Sequence, residues 1–102
     1  MEMPSSELCP QVEAAFSLLA KKWTGLLIFV LCDGEKHFNE LKAAVPLLSS
    51  RVLALRMREL EESGLVERHV GESSPVRVGY SLTTKGKGLA SALKGIADWA
   101  RN

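Results

Sequence analysis

The sequence predicts an α+β fold that is mainly helical, arranged as a winged helix-turn-helix. Three observations carry this expectation. Up to residue 63 the apolar residues recur at helical spacing; from 65 to 82 they alternate with polar ones; after Thr83 the helical spacing returns. A tight turn between two of the early helices makes a helix-turn-helix, and the alternating stretch that follows supplies a two-stranded wing. At 102 residues and 46% hydrophobic, the chain suffices for one compact domain with a modest core. That single domain is expected to span residues 1–102, with residues 1–8 a loose N-terminal tail.

Each element has a local reason. In "CPQVEAAFSLLAKK", Pro10 suits the first position of a helix, where its missing N–H costs nothing. Val12, Ala15, Phe16 and Leu19 then share one face. "KWTGLLIFVLCDG" reads as a second helix, apolar nearly all round and so expected to be buried, with Gly34 ending it in the left-handed conformation. "KHF" reads as a short strand, and Asn39 as the N-cap of a short third helix, "ELKAAV", which Pro46 stops. After the brief "PLLS" connection, Ser49 is a natural N-cap for a fourth helix running to about Ser63, where Gly64 ends it. "LVERHV" and "VRVGYSL" alternate around "GESSP", the pattern of a β-hairpin with a loose tip. Thr83 caps a last helix, lined on one side by Leu89, Leu93, Ile96 and Ala100. Gly86, Gly88 and Gly95 weaken this helix by about 1 kcal/mol each relative to alanine, so it needs something to pack against.

Charge is informative through its distribution. The net charge is +1, but residues 1–48 carry four Lys/Arg against six Asp/Glu, and residues 49–88 carry seven against five. A polyanion site must therefore be a local face. On the fourth helix, Leu53, Met57 and Leu60 form a core-facing stripe. Arg51, Leu55 and Arg58 fall on the opposite side with Ala54 at its edge, and Arg56 lies nearer the border. Glu59, Glu61 and Glu62 lie towards the C-terminal end, away from the basic face. This arrangement suits a helix that enters a DNA major groove by its N-terminal half. Arginine pairs bidentately with guanine, and an outward leucine can touch a thymine methyl. Arg51, Ala54, Leu55 and Arg58 are the candidate base-reading residues. Ser49 and Ser50, at the helix N-terminus, with Arg68 and Arg77 on the hairpin, are candidates for positioning the DNA backbone. His69, Lys85 and Lys87 are further residues within reach of phosphate. The alternative is a winged helix used for protein–protein docking, with Leu55 as an anchor and no specific DNA binding.

The order "CPQVEAAFSLLAKKW", "HFNELKAAVP", "RVLALRMRELEESGLVER" and "YSLTTKG" resembles the HxlR-type family of winged-helix transcriptional regulators, over a stretch from Cys9 to Trp99. The resemblance implies a homodimer, with first and last helices packed across a two-fold axis. It also implies two recognition helices in successive major grooves of a pseudo-palindromic double-stranded operator. The residues agree, because Phe16, Leu19, Leu93, Ile96 and Trp99 present more apolar surface than one small core needs. They are the dimer candidates, set against ordinary core packing. The chain departs from the family pattern in several places. Leu47, Leu48, Ser49 and Ser50 replace a turn that usually reads like "PGIS" followed by proline, Leu55 stands where a polar or basic residue is common, and Gly79 where an acidic one is. The first two concern the reading head, so an operator sequence does not transfer from relatives.

Some members of that family sense oxidants or electrophiles through a cysteine in the equivalent "CP" position, which makes Cys9 a candidate redox sensor. A helix N-terminus favours a thiolate, whereas Glu7 opposes it and no lysine or arginine adjoins. Cys32, in the apolar second helix, reads as a small buried hydrophobe. His37 reads as a solvent-exposed strand residue and His69 as a wing surface residue, without metal-ligand spacing to each other or to a cysteine. No phosphate-cradling loop or catalytic constellation is present, so the expectation is no enzyme, no metal and no cofactor. Any small-molecule effector is unspecified. The longest apolar run, "LLIFVLC", is far too short to cross a bilayer, and no signal peptide precedes the chain, so the protein is expected to be soluble and cytoplasmic, with no membrane partner.

Overall fold

A computed structural model describes residues 9–72 and 74–102. The expected tail, residues 1–8 with Glu7, lies outside the described residues, as does Ser73 in the hairpin tip. Helix α1 spans Pro10–Ala20, with Pro10 in its first turn as its sequence suggested, and none of its residues is buried. Only the flank bearing Leu18 packs on the core. The chain then breaks sharply. Trp23 takes φ 79°, and α2, Thr24–Val30, begins directly after it. The two helical runs are bent by 86° at this break. A bulky aromatic in the left-handed region costs about 1–3 kcal/mol and persists only where its surroundings hold it.

The second helix is therefore shorter than its pattern suggested, and a single 3-10 turn, Leu31–Asp33, completes it. Nor is it buried on all sides: Thr24, Leu27, Ile28 and Leu31 are enclosed, while Leu26 is exposed. Its second apolar side borders a shallow groove shared with the last helix. Gly34 ends the run at φ 122°, ψ −171°, which is not the expected left-handed helical conformation but an extended one essentially confined to glycine.

Strand β1 is Lys36–His37 and α3 is Phe38–Ala44. The cap of α3 is His37 and not Asn39, because Phe38 packs against the core and draws the helix start back to itself. The backbone N–H of His37 donates to Glu40 Oε1 at 2.7 Å, closing the first turn. In the following turn Lys42 Nζ donates to the carbonyl of Leu48 at 2.6 Å, and Leu48 itself is buried. Helix α4, Ser50–Glu62, starts as expected: Ser49 Oγ accepts from the N–H of Val52 at 3.1 Å. Gly64, at φ 76°, turns the chain into the hairpin.

Strands β2, Val66–Val70, and β3, Val78–Leu82, pair antiparallel, and β1 adds to the other edge of β3 to give the order β1-β3-β2. Arg68 lies opposite Tyr80, and His69 and His37 flank Gly79 from either side. Helix α5, Thr84–Arg101, is capped by Thr83, whose Oγ1 accepts from Gly86 N at 3.0 Å and donates to Gly64 O at 2.6 Å. Leu27, Ile28, Leu41, Leu53, Met57 and Leu60 are fully enclosed between α2, α3 and α4, and Leu65, Val66 and Tyr80 close the core from the sheet. No single described helix is long and apolar enough to cross a membrane.

Candidate nucleic-acid interface

The helix-turn-helix is α3, the Val45–Ser49 turn and α4. Because Leu53, Met57 and Leu60 are fully buried, the orientation of α4 is fixed, and its outer face is fixed with it. Arg51, Ala54, Leu55 and Arg58 are all exposed on that outer face, as the helical spacing placed them. Ser49 and Ser50 are exposed at the helix start, where the first backbone N–H groups have no helical partner. Arg56 sits at the border: it is half-buried, with Nε on the carbonyl of Lys22 at 3.0 Å and Nη1 on Glu59 at 3.1 Å. Among the described residues Arg51, Arg58, Arg68 and Arg77 make no ion pair, so their charge is free for an external anion.

The hairpin brings one of its two arginines to the helix. Arg68 shares the inner face of the sheet with Val66 and Tyr80, and it lines a cleft of about 370 Å³ together with Ala54, Arg58, Glu61 and Tyr80. Glu61 was expected to lie away from the basic face. It stands instead at the cleft wall, because it follows Arg58 by three residues and so shares its side of the helix. That spacing was visible in the sequence. Arg77 lies elsewhere, on the outer face of the sheet, lining a notch of about 240 Å³ with Glu35, His37, His69 and Gly79. At Gly79, where the resemblance led one to expect an acid, the carboxylate of Glu35 lies where a side chain would begin. His37 is half-buried here and not solvent-exposed, because β1 joins the sheet. His69 is exposed, with Nε2 2.8 Å from Ser81 Oγ. Lys85 and Lys87 are exposed in the first turn of α5.

Leu47, at the tip of the turn before α4, was not among the sequence candidates, yet it is 85% exposed beside the reading face. Nothing in its spacing announced this, since a turn has no period. Two carboxyls near the interface ionise more readily than usual. Glu59 is held below its ordinary value of 4.5 chiefly by the hydrogen bond from Lys21, helped by Arg56. Glu40 is lowered mainly by the backbone N–H of His37.

The dimer candidates divide. Phe16, Ile96 and Trp99 are 69%, 57% and 77% exposed, while Leu19 is half-buried. Leu93 is half-buried against the core, so ordinary packing already accounts for part of its surface. Leu26, Phe29, Leu93, Ile96, Ala97 and Ala100 line the open apolar groove between α2 and α5. Cys9 is exposed at the start of α1, and its thiol donates to Gln11 Oε1. Cys32 is half-buried, with its thiol directed to the carbonyl of Ile28. Among the described residues no group of His, Cys, Asp and Glu is placed to hold a metal.

A buried-backed helix with a free basic face, set beside a two-stranded wing, defines a winged-helix DNA-binding transcriptional regulator. Comparison with known proteins narrows the class: residues 18–102 match the HxlR-like helix-turn-helix family, and the chain belongs to that family. The HTH-type transcriptional regulator YvaP of Bacillus subtilis is 49% identical over 98 residues, covering 96% of this chain and 91% of its own. YodB, an HTH-type transcriptional regulator of the same organism, is 46% identical over 93 residues, covering 91% of this chain and 83% of its own. The reduced form of YodB superposes with a TM-score of 0.82 over 92% of each chain, and YodB has also been solved diamide-treated and quinone-bound. The redox regulator HypR in its oxidised form, 38% identical, superposes with a TM-score of 0.83 over 91% of this chain and 95% of its own. These likenesses favour DNA reading over the protein-docking use of the same fold.

Proposed function

We propose that the protein reads a pseudo-palindromic double-stranded operator as a homodimer, through Arg51, Ala54, Leu55 and Arg58 at base edges. Ser49, Ser50 and Arg68 position it on the backbone, and Arg77 adds a contact from the outer side of the wing. The observation that carries this reading is the exposed, unpaired basic face of a helix whose opposite face is wholly buried. Arg58 and Arg68 converge on one cleft, so a duplex seated on α4 meets the wing as well. Exposed apolar residues on α1 and α5 support the dimer, whose half-sites would then lie about one helical turn, roughly 34–36 Å, apart.

The test is binding to duplex DNA upstream of the protein's own gene, compared with random duplex at several salt concentrations. Log affinity should fall linearly with log salt, by about 0.9 for each phosphate neutralised. Arg58→Ala should cost about 1–3 kcal/mol on operator and little on random duplex. Equal losses on both would reduce Arg58 to a phosphate contact, and no preference for any duplex would leave a protein partner for the arginine face.

A second reading concerns Cys9. Its exposure at the start of α1, together with the diamide-treated and quinone-bound structures of YodB, supports a sensor in which thiol modification alters operator affinity. Diamide or a quinone should shift operator affinity in the wild type and leave Cys9→Ser unchanged; an identical shift in both proteins would remove Cys9 from the response.

A further inference from the structure

The recognition helix is tied to the rest of the molecule in two chemically different ways. Its inner face packs in the core. Its flank carries Arg56 and Glu59, which base reading does not use, and both reach the elbow between α1 and α2. One Glu59 oxygen takes Lys21 Nζ at 2.7 Å, and the other takes Arg56 Nη1 at 3.1 Å. Arg56 Nε then extends to the backbone carbonyl of Lys22 at 3.0 Å. One carboxylate thus holds two cations, and the guanidinium forks between a side chain and the main chain. Both attachment points, Lys21 and Lys22, immediately precede the left-handed Trp23, while Lys22 Nζ lies 5.0 Å from the centroid of the Trp23 ring.

Helix α1 has no buried residue, so its own packing does little to fix its direction. The elbow has to do so, and the elbow is pinned from α4. We propose that Lys21, Arg56 and Glu59 are positioning residues for DNA reading: they set the angle between α1 and the recognition helix. In the dimer built on α1, a reading on which this proposal rests, that angle governs the separation of the two recognition helices. The leverage is large. A rotation of about 10° acting over about 17 Å, half of the half-site separation, moves each reading head by about 3 Å, close to one base-pair step.

The experiment uses duplexes selected from a random pool by the wild-type protein, variants of them with one or two base pairs added or removed between half-sites, and a single half-site duplex. The wild type should prefer one spacing sharply. In Lys21→Met and Arg56→Met that preference should fall by about 5- to 10-fold, with single half-site affinity retained, and Lys21→Arg should keep the wild-type preference. Lys21 is well exposed, so its substitution leaves the core untouched and the result readable even if Arg56→Met folds poorly. An intact spacing preference in Lys21→Met, or an equal loss on the single half-site, would overturn the proposal. A wild type that selects no duplex, or shows no spacing preference, would overturn the dimeric DNA reading itself and the positioning role with it.

Discussion

Gly86 sits where α5 passes the backbone of the α4–β2 turn, and a Cβ there would meet the carbonyl oxygen of Leu65 at 2.1 Å. Backbone does not yield as a flexible side chain does. Gly86→Ala should therefore destabilise the protein by about 1–3 kcal/mol, although alanine is the better helix former. Gly88 faces open space, and Gly88→Ala should stabilise by about 0.5–1 kcal/mol. Urea midpoints of the two variants at equal protein concentration check the opposite signs. From sequence, both glycines read alike, as weak points in a helix, because close approach by a distant carbonyl leaves no mark on local spacing. Thr83, by contrast, was legible as the cap before a helical pattern. Its hydroxyl also donates to Gly64 O, so Thr83→Val should cost about 1–2 kcal/mol by the same measurement.

At the scale of elements, two carboxylates hold structure in place. Glu59 joins α4 to the end of α1, and Glu40 closes the first turn of α3. Both carboxyls are held below their ordinary value of 4.5, Glu59 by Lys21 and Glu40 by the His37 N–H. The unfolded chain then takes up their protons at higher pH than the folded chain does. Their contribution is complete above the ordinary carboxylate range and is lost as pH falls through the lower folded values. Urea midpoints followed from about pH 7 to about pH 3 should decline more gently in Glu59→Gln and Glu40→Gln than in the wild type. The inner stripe of α4 and both hairpin strands were readable from periodicity, because burial on one face imposes a period. The elbow was not. Two helices were expected here, with Trp23 inside the second; Trp23 is instead the sharp break before it, and a bond at that break comes from Arg56, thirty-four residues on from its acceptor Lys22. The cap of α3 was misplaced by two residues for a related reason, since the packing of Phe38 outweighed the propensity of Asn39.

For the whole molecule, the open issue is where its apolar surface goes. A single chain leaves Phe16, Ile96 and Trp99 uncovered, while α1 contributes nothing enclosed to the core. Exposed apolar residues of this size mark an interaction surface, and the proposed two-fold dimer would cover them. Phe16→Glu or Trp99→Glu should yield a monomer in sedimentation experiments and cost operator affinity, because each half-site would then be bound alone. The basic face of α4 would be unchanged, so affinity for random duplex should fall less. The sequence showed a surplus of apolar residues but not their division, since Leu93 and Ile96 differ by less than one helical turn and only the first reaches the core.

The two tryptophans stand at the two places the proposals single out, the elbow and the dimer face. Trp23 lies half-buried at the bend beside the recognition helix, and Trp99 stands out in solvent on the last helix. An indole in water emits further to the red than one in an apolar contact. With Trp23 replaced by phenylalanine, the remaining emission should move to the red on dilution, as Trp99 leaves its partner. With Trp99 replaced instead, the signal reports the bend alone. If the chain associates as proposed, it carries its own optical gauge of association and elbow geometry, readable without a label.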